Sequence, residues 1–149
     1  MATTAINSPS ETALEYLQGS DWSLLESKST RVRFRAGEAM ISRGAPVNRL
    51  FVIRSGVARV AVTIGAAVAH LKSGDICGEM GFLEQCAASA WVIAESDVEA
   101  DAFDTAELQE LFTTFPNVGA RFYKSLAMVL SRRLRLTTAR LSKTASGRQ

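Results

Sequence analysis

The chain is poor in the residues that metal and nucleophilic chemistry require. Its 149 residues include two cysteines, Cys77 and Cys86, and one histidine, His70. Two cysteines make no disulfide framework, and their spacing is not that of a metal site. No Ser-His-Asp, Cys-His or metal constellation can be assembled around a single histidine. No catalytic residue, metal ligand or cofactor is therefore assigned, and the chain is not expected to be an enzyme. Asp101 and Asp104 are expected near a strand end and a helix cap, where capping accounts for them. Long apolar runs are missing too. Leu126 to Leu130 is far short of the ~20 residues that a membrane span requires. Met1 to Ser10 has neither a positively charged region nor an apolar one, so no secretory signal is expected and the cytoplasm is the expected location.

Acidic residues are absent from Asn117 to Gln149, where eight Lys or Arg occur; the preceding stretch carries nine basic against fifteen acidic residues. A basic last third suits nucleic acid, an anionic ligand, or simply the solvated face of a helix. What remains is ordinary for one globular domain: 47% apolar and 21% charged residues, enough for a self-sufficient core.

A polar leader is expected over residues 1–19. Asp21-Trp22-Ser23-Leu24-Leu25 then reads as a short helix with Asp21 as N-cap. From Val32 the period changes. Val32, Phe34, Ile41, Leu50 to Ile53, Val57, Val60, Val62 and Val68 fall in short β-branched or aromatic runs. Gly37, Gly44, Pro46, Ser55-Gly56, Gly65 and Ser73-Gly74-Asp75 punctuate them. Short strands with regular turn signals predict an all-β sandwich or barrel. Trp91 to Ala94 and Val98 to Phe103 close it. At Thr105 the character shifts: a hydroxyl N-cap and good helix formers predict a helix to about Thr113. Pro116 opens a longer one, expected over 116–141, with a frayed tail over 142–149. Phe122, Leu126, Val129-Leu130, Leu134, Thr137 and Leu141 make one apolar stripe along it. The stripe outlasts what a small roll covers, so a second copy of the same helix is the expected partner.

Gly78-Glu79-Met80-Gly81-Phe82-Leu83, followed by Ser89-Ala90-Trp91-Val92, resembles the phosphate-binding cassette of cyclic-nucleotide sensor domains. The wider pattern resembles the effector domain of the catabolite activator protein family over roughly residues 20 to 141. Phe34-x-x-Gly37-Glu38-x-x-Ile41, Gly44 and Leu50-Phe51-Val52-Ile53-x-Ser55-Gly56 match its opening half. Gly74-Asp75-x-x-Gly78-Glu79 leads into the cassette, and Arg132-Arg133-Leu134-x-x-Thr137-Thr138 is similar to the middle of its long dimerisation helix. The resemblance implies a mainly β fold with flanking helices: a β-roll (a double-stranded β-helix, or jelly roll) over 20–115, with the cassette at 78–92 and a long carboxyl-terminal helix.

The ligand that the resemblance implies is cyclic AMP or cyclic GMP. A glycine turn opening a short helix presents free N–H groups that favour an anion, here from Gly78, Met80 and Gly81. Glu79 then matches an acceptor for the ribose 2′-hydroxyl, and Ser89 a donor to a phosphate oxygen. Thr137 and Thr138 match purine contacts, and Arg133 matches a helix arginine able to pair with Glu79. Plainer roles stay open: Glu79 as complement to a helix dipole, Ser89 bonded to local backbone, and the two threonines as interface residues.

One position departs from the pattern. Where the family carries the arginine that holds the cyclic phosphate, this chain has Ala88, and the loop before it is one residue shorter. Removing one partner of a buried charged pair costs about 2–5 kcal/mol, or roughly 30-fold to a few thousandfold in affinity. Arg54, Arg59 and Arg133 are the cations considered in its place, and the resemblance puts only Arg133 at the pocket. Two functions compete: a dimeric small-molecule sensor with weak or altered ligand binding, and a degenerate module acting in dimerisation or with a protein partner. A third is the sensor half of a transcription regulator. Without a helix-turn-helix, specific DNA binding is not expected.

Overall fold

The computed structural model describes residues 13–63 and 65–146, with side chains to residue 144. Its strands are β1 (Ser29–Phe34), β2 (Ala39–Ile41), β3 (Arg49–Ser55), β4 (Ala58–Thr63), β5 (Ala66–Leu71), β6 (Ile76–Cys77), β7 (Trp91–Ala94) and β8 (Val98–Asp104). They form two four-stranded antiparallel sheets, ordered β1-β8-β3-β6 and β2-β7-β4-β5. Helices α1 (Gly19–Glu26), α2 (Glu79–Glu84), α3 (Thr105–Thr114) and α4 (Pro116–Ser146) flank the roll.

The unbroken apolar run Leu50-Phe51-Val52-Ile53 in β3 has a direct structural cause. Successive side chains on a strand point to opposite faces. Leu50 and Val52 enter a core shared with the helices, where Leu25, Phe82, Leu108, Phe122 and Leu126 meet. Phe51 and Ile53 enter the core between the sheets, with Met40, Ala58, Val92 and Ala100. The strand is the wall between the two cores, so neither of its faces can be polar.

In the helical core, Phe82 of α2 packs at a steep angle on Phe122 of α4, with centroids 5.7 Å apart. Phe112 of α3 lies 4.9 Å from Phe122. Such pairs add about 0.5–1.5 kcal/mol each beyond area burial, and here they hold the cassette helix against both carboxyl-terminal helices.

The charge asymmetry of the sequence has an intramolecular explanation. Arg121 makes a two-pronged bond to the buried Asp21 carboxylate at 2.7 and 2.8 Å. Lys124 sits 4.4 Å from the Tyr16 ring centroid, and Arg132 reaches Glu15 at 2.6 Å. Arg133 pairs with Glu79, and Arg140 donates to the Val68 carbonyl at 2.9 Å. Only Arg135 and Lys143, of the α4 cations, make no such contact among the described residues.

Several expectations need correcting. The leader lies mostly outside the described residues, but Leu14 and Leu17 are already buried in the core. Asp21 is not the N-cap of α1. Gln18 takes that place, and Asp21, three residues on, accepts the Gln18 N–H at 2.9 Å while pairing with Arg121. Asp104, not Thr105, caps α3 by accepting the Glu107 N–H. Asp101 is no strand-end residue: it is buried in mid-β8 between Arg31 at 2.9 Å and Arg54 at 3.2 Å. Helix α4 runs on to Ser146, past the expected end at residue 141.

The stripe on α4 divides in two. Phe122, Leu126 and Val129 are buried, whereas Leu134 and Leu141 are 67% and 66% exposed. As the spacing predicts, the roll covers only the first half.

Candidate functional site

The site begins where β6 turns into α2. Gly78 caps α2 in the left-handed region at φ 87°, and a Cβ there would lie 2.6 Å from the Arg49 carbonyl oxygen. Only glycine meets both conditions. Gly81, one turn on, is pressed against the Val47 side chain with no room for a Cβ. Helix geometry leaves the N–H groups of Glu79, Met80 and Gly81 without helical acceptors.

Glu79 is buried, with its side chain 6% exposed. A carboxylate out of water needs a partner. Arg133 supplies one: its guanidinium donates to Glu79 Oε1 and, through its second terminal nitrogen, to the Ile76 carbonyl at 2.6 Å. One side chain of α4 thus clamps the start of α2 and the strand before it. Nearby Cys77 is fully buried, and desolvation together with the Glu79 charge pushes its thiol pKa well up, so it is no nucleophile.

The other end of the cassette is built differently. Ala88 donates its N–H to the Ala45 carbonyl at 2.9 Å and accepts from the Gly44 N–H at 2.8 Å. A bridge between Pro46 and Ala87 completes the stitching. Backbone bonds hold the loop to the β2–β3 connection, and Ser89 is exposed. Arg54 bonds Asp101 on β8, and Arg133 is taken by Glu79. Arg59, half-buried on β4, makes no ion pair among the described residues. A cation that sequence reasoning missed is Arg43, next to Gly44. Its guanidinium donates to the Val62 carbonyl at 2.6 Å and lies 5.8 Å from the Trp91 ring centroid. Its proximity to Ala88, which bonds the neighbouring Gly44, was invisible without the loop pairing.

A family model for the cyclic nucleotide-binding domain matches residues 31–115, from β1 through the cassette to the end of α3. The chain belongs to that family. Glutaminase 2 of Bradyrhizobium diazoefficiens is 32% identical over 113 residues, covering 76% of this chain, which spans only 18% of the glutaminase. The cyclic nucleotide-binding domain from Methylobacillus flagellatus superposes with a TM-score of 0.80 over 86% of this chain and 74% of that one, at 20% identity. The catabolite activator protein of Thermus thermophilus gives 0.73 at 26% identity, covering 93% of this chain and 63% of that one.

Within this cyclic nucleotide-binding domain, the residues singled out from the sequence fall into three groups. Gly78, Glu79, Met80, Gly81 and Arg133 come together at the start of α2. Ala88 and Ser89 lie in the stitched loop. Thr137 and Thr138 are exposed on α4 beyond Arg133. Thr137 turns its hydroxyl back to the Arg133 carbonyl at 3.0 Å, and no hydrogen bond joins either threonine to the cassette among the described residues. No group of three or more metal-ligating side chains occurs among the described residues. No described helix is long and apolar enough to cross a membrane.

On the opposite side of α2 is a cleft of about 480 Å³, lined in part by Asn48, Phe82, Gln85, Cys86, Thr105 and Gln109. It was not legible in the sequence, because its walls come from the β2–β3 connection, the cassette and α3.

Proposed function

We propose that this regulatory domain is a sensor whose cassette retains the sugar end of a cyclic-nucleotide site and has lost the cation of its phosphate end. The observation that carries the reading is the buried Glu79 carboxylate at the mouth of α2, oriented by Arg133, which also bonds the Ile76 carbonyl. Such a carboxylate has a free lone pair for a ribose hydroxyl. At Ala88 the loop offers a phosphate only backbone groups that already bond Ala45 and Gly44. Cyclic AMP or cyclic GMP then binds through sugar and base, near the millimolar range, with Gly78, Met80, Gly81 and Ser89 as weak phosphate donors.

The purine contacts assigned to Thr137 and Thr138 belong to a homodimer in which two α4 helices meet along Leu134 and Leu141. A stripe of exposed leucines of this kind is characteristic of an interface. Cytoplasmic action goes with this reading, and a protein partner receives the signal. The uptake of α4 cations by Asp21, Glu15 and Glu79 leaves little for DNA, and specific DNA binding is not proposed.

Calorimetric titration with cyclic AMP and, separately, with adenosine tests the site. Saturable, weak binding of both ligands with similar affinity is expected, because the phosphate gains no cation. Strong preference for cyclic AMP would overturn the missing-cation reading. No binding of either would favour the second reading, a dimerisation module, to which the backbone-stitched loop and exposed leucines also point. Sedimentation of Leu134→Asp with Leu141→Asp checks the dimer, which is expected to become a monomer.

A further inference from the structure

The cleft behind α2 is separate from the nucleotide face. Residues advance about 100° per position on a helix, so Gly81, which faces the cleft, lies on roughly the opposite side of α2 from Glu79. Its volume of about 480 Å³ falls in the ~300–1,000 Å³ range of small-molecule sites. Its chemistry is narrow. None of its lining residues carries a charge, so an ion entering it loses water without gaining a counter-ion. Three carboxamides line it instead: Asn48 from the β2–β3 connection, Gln85 from the end of α2 and Gln109 from α3. Thr105 adds a hydroxyl, and Pro46 and Val47 contribute apolar surface.

None of the three carboxamide side chains makes a hydrogen bond to the described residues. Each presents both a donor and an acceptor, so together they match a molecule with the same paired pattern. Gln85 is the one non-glycine residue among those described with positive φ, at 53°. That conformation is uncommon outside Gly, Asn and Asp, and it is held here by its N–H bond to the Gly81 carbonyl at 2.8 Å. The backbone thereby fixes where the Gln85 side chain leaves the helix, at the edge of the cleft.

We infer that this cleft is a second ligand site, which takes an uncharged small molecule carrying an amide group and an apolar body. It does not depend on the nucleotide reading. The protein carries its own reporter: Cys86 lines the cleft and is exposed, whereas Cys77 is buried. Alkylation of the native protein by N-ethylmaleimide therefore reads Cys86 alone.

The probes are N-acetylphenylalaninamide, which is neutral, and N-acetylphenylalanine, its carboxylate counterpart. The neutral amide is expected to slow Cys86 alkylation saturably, by about fivefold once its concentration is several times its dissociation constant. The carboxylate and cyclic AMP should leave the rate unchanged. Gln85→Gly keeps the positive φ while removing the carboxamide, and it should abolish the protection, as should Gln109→Leu. If either variant fails to fold, the side-chain amide NMR signals of Asn48, Gln85 and Gln109 in the unaltered protein serve instead, and they should shift with the neutral probe. Absence of saturable protection up to millimolar probe, equal protection by the carboxylate, or shifts confined to the Glu79 face would each overturn the proposal.

Discussion

At the start of α2 the protein buries a carboxylate, brings an arginine from α4 to meet it, and ties both to the strand before. At the other end of the same cassette, Ala88 offers only backbone, and that backbone is already bonded to Gly44 and Ala45. The Glu79 end is costly to maintain, because a buried ion pair rarely exceeds its desolvation cost by much. The Ala88 end costs little, and in the proposed reading it binds phosphate weakly. Such a contrast argues that the two ends answer to different demands. Arg133 also anchors α4, so Glu79 is structurally required whether or not a ligand binds. The hydrogen bonds at Ala88 come from its main chain, so they do not depend on its side chain.

Restoring a cation at the phosphate end gives the largest expected change. Ala88→Arg should raise cyclic AMP affinity by roughly 30-fold to a few thousandfold, read by calorimetry. At the sugar end, Arg133→Met leaves Glu79 buried and unpaired. Breaking buried pairs costs about 3–5 kcal/mol; with the Arg133 side chain 36% exposed, about 2–3 kcal/mol is expected in urea unfolding. Adding Glu79→Gln to that variant should recover part of the loss. Gly78→Ala places a Cβ against the Arg49 carbonyl oxygen at positive φ, and about 2 kcal/mol of destabilisation should follow.

The smallest effect is a control remote from both ends. Two bonds from Arg121 hold the Asp21 carboxyl below its usual range, against the opposing effect of burial. A depressed folded-state value stabilises the fold above the unfolded-state pKa, near 4, and the contribution disappears as pH falls through the folded value. Acid unfolding of Asp21→Asn should therefore lose this part of the pH dependence, without a change in ligand affinity at neutral pH.

The roll was legible because its signals are local. Gly56, Gly74 and Gly78 mark turns that need positive φ, and β3 betrays its two-sided burial by an unbroken apolar run. The half-covered stripe on α4 was legible for the same reason, since its period is continuous from Phe122 to Leu141. Contacts distant in sequence were not. Asp21 looks like an N-cap until Arg121, a hundred residues later, is seen to claim it. Asp101 looks like a strand-end acid because nothing near it in sequence announces Arg31 or Arg54. The basic last third invited a nucleic-acid reading for a similar reason: its complements lie in the amino-terminal segment and the cassette. Of the candidate site, the sugar end could be anticipated from family likeness, whereas the cleft behind α2 needed three separate segments to be brought together.

The most direct test of the account is a pair of cyclic AMP titrations, on the unaltered protein and on Ala88→Arg, under the same conditions. The account predicts binding near or beyond the millimolar range for the first and micromolar binding for the second. Micromolar binding by the unaltered protein, or no gain from the arginine, would contradict it.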